Sequence, residues 1–69
     1  MKISARNMLP GMIRRIEMGA VNAQLTIEIA PGIEIVSIVT ADSVKNLSLE
    51  VGRPAYAVIK ASSVMVAVD

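Results

Sequence analysis

The sequence has 69 residues, seven of them basic and six acidic, for a net charge of +1; 54% are apolar, yet Tyr56 is the only aromatic. There is no cysteine and no histidine, which excludes disulfide staples, the common zinc ligand sets and any Ser-His or Cys-His nucleophile pair. A domain near this size buries only about 60% of the surface its unfolded chain exposes, so the excess of Val, Ile, Leu, Met and Ala points to stabilisation by association with further chains.

The charges are dispersed, without the basic stripe of a nucleic-acid binder. One tyrosine cannot furnish the stacking platform of a single-strand-binding barrel. Met1-Lys2-Ile3-Ser4 lacks the apolar core of a signal peptide. The longest apolar runs, such as Val64 to Val68, are far too short to cross a bilayer. The expectation is a single domain over residues 1–69, cytoplasmic, with neither nucleic acid nor membrane as partner.

In chain order, a short extended segment, Ile3 to Asn7, precedes a strand from Met12 to Met18 that ends at Gly19. Gln24 to Ile29 alternates strictly, with Leu25, Ile27 and Ile29 on one face and Gln24, Thr26 and Glu28 on the other, the mark of a half-buried antiparallel strand. Ala30-Pro31-Gly32 supplies turn chemistry, and Ile33 to Val39 returns as the second arm of a hairpin. Thr40 to Leu47 is the one helical candidate, with a capping threonine and Asp42 in its first turn. Val51-Gly52-Arg53-Pro54 breaks the chain, and two further strands are expected, Ala55 to Lys60 and Val64 to Val68, joined by Ala61-Ser62-Ser63. The order is β-β-β-short α-β-β. That predicts an all-β fold with one short helix, a Greek-key barrel of OB type. Both C-terminal strands are apolar on each face, so one face fills the barrel and the other lies against a neighbouring subunit.

No enzyme is expected. The carboxylates Glu17, Glu28, Glu34, Asp42, Glu50 and Asp69 do not cluster, and no phosphate-cradling glycine pattern is present. Anion binding needs another set of parts: cations, hydroxyls and free backbone N–H groups. Ser4-Ala5-Arg6-Asn7 offers a hydroxyl, a guanidinium and an amide. Lys60-Ala61-Ser62-Ser63 offers an ammonium, hydroxyls and the N–H groups of a tight turn. Thr40 to Ser43 adds two hydroxyls and a helix start. Each patch also has an ordinary structural reading, as surface charge, helix cap or turn. Composition and periodicity alone stop at a small oligomeric β-barrel.

Ile3-Ser4-Ala5-Arg6-Asn7 followed by Leu9-Pro10-Gly11 resembles the N-terminal signature of the molbindin (Mop) family. The same module occurs in molybdate-responsive transcription regulators and, in related TOBE form, in transporter ATPases. Arg15 to Asn22, Thr40 to Val44 and Lys60 to Met65 look like that family's second-strand turn, helix start and C-terminal turn. One departure is Met8, where the family signature commonly has glutamine, and no ligand role is assigned to it. The resemblance implies an OB-like barrel with its N-terminal strand exchanged between subunits, in a homo-oligomer that is a hexamer built as a trimer of dimers. It implies molybdate as the bound oxyanion, with tungstate as a second guest and no metal cation. Ser4, Ala5 and Arg6 of one subunit would face Thr40, Ser43, Lys60, Ala61 (through its N–H) and Ser62 of another. Gly19, Ala20, Val21 and Asn22 would form a second kind of oxyanion site, on the threefold axis.

A tetrahedral dianion accepts hydrogen bonds at all four oxygens, so its best receptor offers donors and positive charge without a competing carboxylate. Charge-assisted hydrogen bonds contribute roughly 1.5–3 kcal/mol each, while micromolar affinity requires about 8 kcal/mol net. One exposed cation falls short after immobilisation costs; two cations with several fixed donors at an interface suffice. The functional expectation is intracellular molybdate storage and homeostasis, the alternative an oxyanion-sensing interaction module that docks to another protein.

Overall fold

The computed structural model describes residues 2–69. Four strands form one antiparallel sheet: β1 (Asn7–Met18), β2 (Asn22–Ala30), β3 (Ile33–Thr40) and β4 (Pro54–Ile59), in the spatial order β3-β2-β1-β4. A six-residue helix α1 (Ala41–Asn46) links β3 to β4, and a single 3-10 turn, Ala61–Ser63, follows β4. No helix among the described residues is long and apolar enough to cross a membrane.

The period-two pattern decides which faces curl inward. On β2, Ala23, Leu25 and Ile27 are buried; on β3, Ile35, Ser37 and Val39 are half-buried while Val36 and Ile38 face outward. On β1, Leu9, Gly11 and Ile13 face the core, and then the ladder with β2 shifts register between Ile13 and Arg15. This bulge matters chemically. Strict alternation after Ile13 would turn Arg15 inward; the extra residue leaves Arg14 and Arg15 both exposed and rephases Ile16 onto the core.

Ile13, Ile27 and Ala57 form one buried cluster, and Ala23, Leu25 and Val44 a second, with Ile16 and Leu49 packed against both. Val44 brings α1 onto the end of β2. Thr40 caps that helix by accepting the Ser43 N–H at 3.0 Å. The β2–β3 hairpin closes through Pro31 and Gly32, whose φ of 75° is the left-handed value the turn demands.

Two features depart from the sequence expectation. β1 begins at Asn7 and not at Met12, running straight through Pro10 and Gly11. Pro10 is tolerated because β2 pairs with β1 only from Met12 onward, so at Pro10 the strand has β4 as its one neighbour. Gly11 is required because β2 passes so close that a Cβ there would lie 2.6 Å from the Glu28 carbonyl oxygen and 2.8 Å from Ile27 Cγ2. The N-terminal strand is thus paired within its own chain from Asn7; Lys2 to Arg6 lie outside the sheet.

The second departure is at the other terminus. Val64 to Val68 join no strand; Met65, Val66 and Val68 are 93%, 88% and 91% exposed. The 3-10 turn after β4 directs the chain away where a hairpin would have returned it. The sheet therefore curls into a half-barrel whose edges, β3 and β4, stay open on a groove of about 360 Å³. The chain exposes 5444 Å², against roughly 4,200 Å² for a compact monomer of this mass.

Two outcomes follow from this packing. Gly11→Ala should destabilise the fold by about 1–3 kcal/mol through overpacking against β2, read as a lower urea midpoint at unchanged slope. On the outer surface, the Arg14 guanidinium donates to Glu28 Oε1 at 2.8 Å and holds that carboxyl below its ordinary value of 4.5. The depressed value means that the pair's stabilisation is present above pH 4.5 and is lost as pH falls through the folded-state value. Arg14→Ala should return Glu28 toward 4.5 in an NMR titration, with little change in stability because the pair is solvent-exposed.

Candidate oxyanion-binding site

The donors singled out from the sequence fall into two groups, at opposite ends of β1. The first is built where β1 begins and β4 ends. Asn7 pairs with Ile59, and the Asn7 side-chain amide donates to the Ile59 carbonyl at 3.2 Å. One step beyond that pair, the register carries Arg6 toward Lys60, with Ser4 and Ala5 preceding and Ala61 and Ser62 following. Arg6 and Lys60 are exposed, and among the described residues neither belongs to an ion pair: the two salt bridges are Arg14–Glu28 and Arg53–Glu50.

The turn after Lys60 adds directed donors. The Ser63 N–H reaches the Lys60 carbonyl at 2.9 Å and the Val64 N–H the Ala61 carbonyl at 3.3 Å. The N–H groups of Ala61 and Ser62 open the 3-10 turn, positions that have no acceptor within the turn itself. Segments 4–7 and 60–64 contain no carboxylate. The result is a donor-only patch with two cations, the chemistry that a multiply charged oxyanion requires.

The second group lies where β2 starts and β3 ends. Thr40 pairs with Asn22, and the Ala41 N–H donates to the Val21 carbonyl at 2.7 Å. Thr40 Oγ1 donates to Ser43 Oγ at 2.8 Å while accepting the Ser43 N–H, which leaves the Ser43 hydroxyl proton free to point outward. Gly19 closes its turn by donating to the Asn22 carbonyl at 2.8 Å, and a Cβ on it would meet that same oxygen. Asp42 is exposed in the first turn of α1.

Within one chain, the structure sets Thr40 and Ser43 beside Val21 and Asn22, across the length of β1 from Lys60 and Ala61. The physical reason is sheet order. β3 and β4 are the two edges, and Thr40 ends β3 at the level of β1's last residues, while Lys60 follows β4 at the level of its first. A twelve-residue strand is up to about 40 Å long, so no one chain closes all these donors around one anion. Sequence reasoning assigned no anchoring role to Asn7, whose amide ties the arm to β4; its position next to Arg6 was the available signal. Among the described residues, no three His, Cys, Asp or Glu side chains gather as a metal site would need.

Comparison with known proteins gives this geometry a family. The TOBE domain pattern matches residues 3–66. A probable molybdenum-pterin-binding protein of Haemophilus influenzae is 55% identical over 69 residues, covering all of both chains. Among solved structures, MopII from Clostridium pasteurianum in an apo form superposes with a TM-score of 0.90 at 40% identity, over 97% of this chain and 100% of that one. The cytoplasmic molybdate-binding protein ModG, with molybdate bound, superposes with a TM-score of 0.84 at 49% identity, over 88% of this chain and 43% of that one. The fold is accordingly OB-like, and the chain belongs to the TOBE domain family, among its molbindin-type members.

Proposed function

We propose that this protein binds molybdate, and tungstate in its place, in pockets shared between subunits of a cytoplasmic homo-oligomer, a hexamer arranged as a trimer of dimers, and that it stores the oxyanion without catalysing a reaction. The observation that supports the reading is the Arg6–Lys60 patch: two cations at the positions next to the Asn7–Ile59 pair that ends the β1–β4 ladder, in segments that offer N–H and hydroxyl donors and hold no carboxylate. Unliganded, the two like charges repel; a dianion removes that repulsion and gains two charge-assisted contacts. In the site, Arg6 and Lys60 neutralise the guest, Ser4 and Ser62 donate hydroxyls, and Ala5 and Ala61 offer backbone N–H groups. Thr40 and Ser43 approach from another chain. The Gly19–Asn22 turn, beside Thr40, is the candidate for a second kind of site.

The chemistry favours the bare oxyanion over a conjugated ring ligand. Tyr56 is the sole aromatic and stands on β4, outside both donor groups. Sulfate has molybdate's charge and shape but a smaller radius, so the pocket rejects it by size. Tungstate, nearly as large as molybdate, is accepted.

Arg6→Ala and Lys60→Ala should each weaken molybdate binding roughly 10- to 100-fold, the loss of one charge-assisted contact, in equilibrium dialysis with elemental analysis. Their ligand-free melting temperatures should equal or slightly exceed that of the unaltered protein, since both side chains are exposed and unpaired and removing either relieves like-charge repulsion. An affinity that does not change would remove that residue from the site. Molybdate at about 100 times its Kd should add roughly 2.7 kcal/mol of stability, seen as a raised melting temperature that equimolar sulfate does not reproduce.

A further inference from the structure

The outer face of the β1–β4 ladder is apolar right up to the two cations. Leu9 and Ala57 pair across these strands and turn into the core, so the pair before them, Met8 and Val58, faces outward, each 39% exposed and unused by the core clusters. Lys60 follows Val58 by two residues on extended backbone, with φ of -61° and ψ of 135°, and Arg6 precedes Met8 by two. Period two puts both cations in phase with the Met8–Val58 pair, a step of about 7 Å along the strands. The same face continues away from the cations as the pairs Pro10–Tyr56 and Met12–Pro54. None of these six side chains is charged, and only the Tyr56 hydroxyl, a further row away, can donate a hydrogen bond.

We infer that Met8, with Val58 beside it, is a specificity-determining residue of the Arg6–Lys60 site: it closes one flank of the bound anion with a surface that returns no hydrogen bond, and so favours large oxyanions over sulfate. This deepens the proposed function and rests on its reading of that site.

An anion that leaves water must recover its hydration from the groups around it. Toward Arg6, Lys60 and the 3-10 turn it meets donors; toward Met8 and Val58 it meets none. The cost of that unsatisfied flank falls as ionic radius grows, because the same two charges spread over a larger anion hold water less tightly. Sulfate therefore loses more than molybdate or tungstate does. Dispersion acts in the same direction: the Met8 thioether is polarizable, and flexible enough to close on the larger guest. Donors alone discriminate poorly, since every tetrahedral dianion accepts from them. The apolar flank adds selection by hydration to selection by fit.

Two substitutions separate the polarity of this side chain from its bulk. Met8→Gln nearly keeps its length and adds an amide donor, while Met8→Leu stays apolar. Molybdate affinity would be measured by calorimetry, and sulfate affinity by competition against bound molybdate, for the unaltered protein and both variants. Met8→Gln should tighten sulfate and lower the molybdate-over-sulfate affinity ratio about three- to tenfold, part of the worth of a hydrogen bond to a charged group. Met8→Leu should leave the ratio unchanged. If the unaltered protein prefers molybdate and Met8→Gln keeps the same ratio, this inference alone is overturned. The same holds if Met8→Leu shifts the ratio as far as Met8→Gln does, since bulk and not polarity would then be the cause. Unaltered protein that binds neither anion would overturn the oxyanion reading itself, and this inference with it.

Discussion

The register of the β1–β4 ladder is the constraint on which the proposed chemistry of this protein depends. The Asn7–Ile59 pair, clamped by the Asn7 amide, brings Arg6 and Lys60 to the same end of the sheet with no acid among their neighbours in sequence. An isolated monomer gains nothing from two exposed cations in one place. A tetrahedral dianion makes the arrangement favourable, because it accepts from every donor present and offers none that would go unmet. The scaffold around the patch fixes its size and keeps its donors in place.

The same sheet explains why one chain is not enough. Its inward face buries only small clusters around Ile13, Ile27 and Ala57 and around Ala23, Leu25 and Val44, while Val36, Ile38, Leu47 and Val51 remain exposed. With no disulfide or zinc set to compensate, the proposed oligomer supplies the cover that these surfaces lack. Stability and function then share one origin. In the proposed assembly, the contacts that bury the apolar surplus also bring the Thr40–Ser43 donors of one chain to the Arg6–Lys60 patch of another. On that proposal, ligand binding strengthens assembly and assembly preorganises the site.

Local features were legible in the sequence and non-local ones were not. The Pro31-Gly32 turn and the Thr40 cap are set by neighbours a few residues apart, and each is found where the pattern puts it; the alternation in Gln24 to Ile29 holds for Gln24, Leu25 and Ile27, whereas Thr26, on the other face, is buried as well. The start of β1 was hidden because Pro10 and Gly11 read as breakers. What admits them is the absence of β2 beside Pro10 and the closeness of its backbone to Gly11, both facts of tertiary pairing. Likewise, the double arginine at 14 and 15 gives no hint that a bulge rephases Ile16. Val64 to Val68 has the composition of a strand, but composition does not say whose sheet it joins. The site's residue types were readable one by one; the separation of Thr40 from Lys60 by the length of β1 depended on sheet order.

The claim that donors from two chains hold one anion is tested most directly by subunit complementation. Chains carrying Arg6→Ala and chains carrying the pair Thr40→Ala and Ser43→Ala would be unfolded, refolded together and titrated calorimetrically with molybdate. Mixed oligomers should regain a population of full-affinity sites that neither parent shows alone, because a wild-type Arg6 then meets a wild-type Thr40 and Ser43 across the seam. Mixtures that bind as the plain average of the two parents would contradict a shared site.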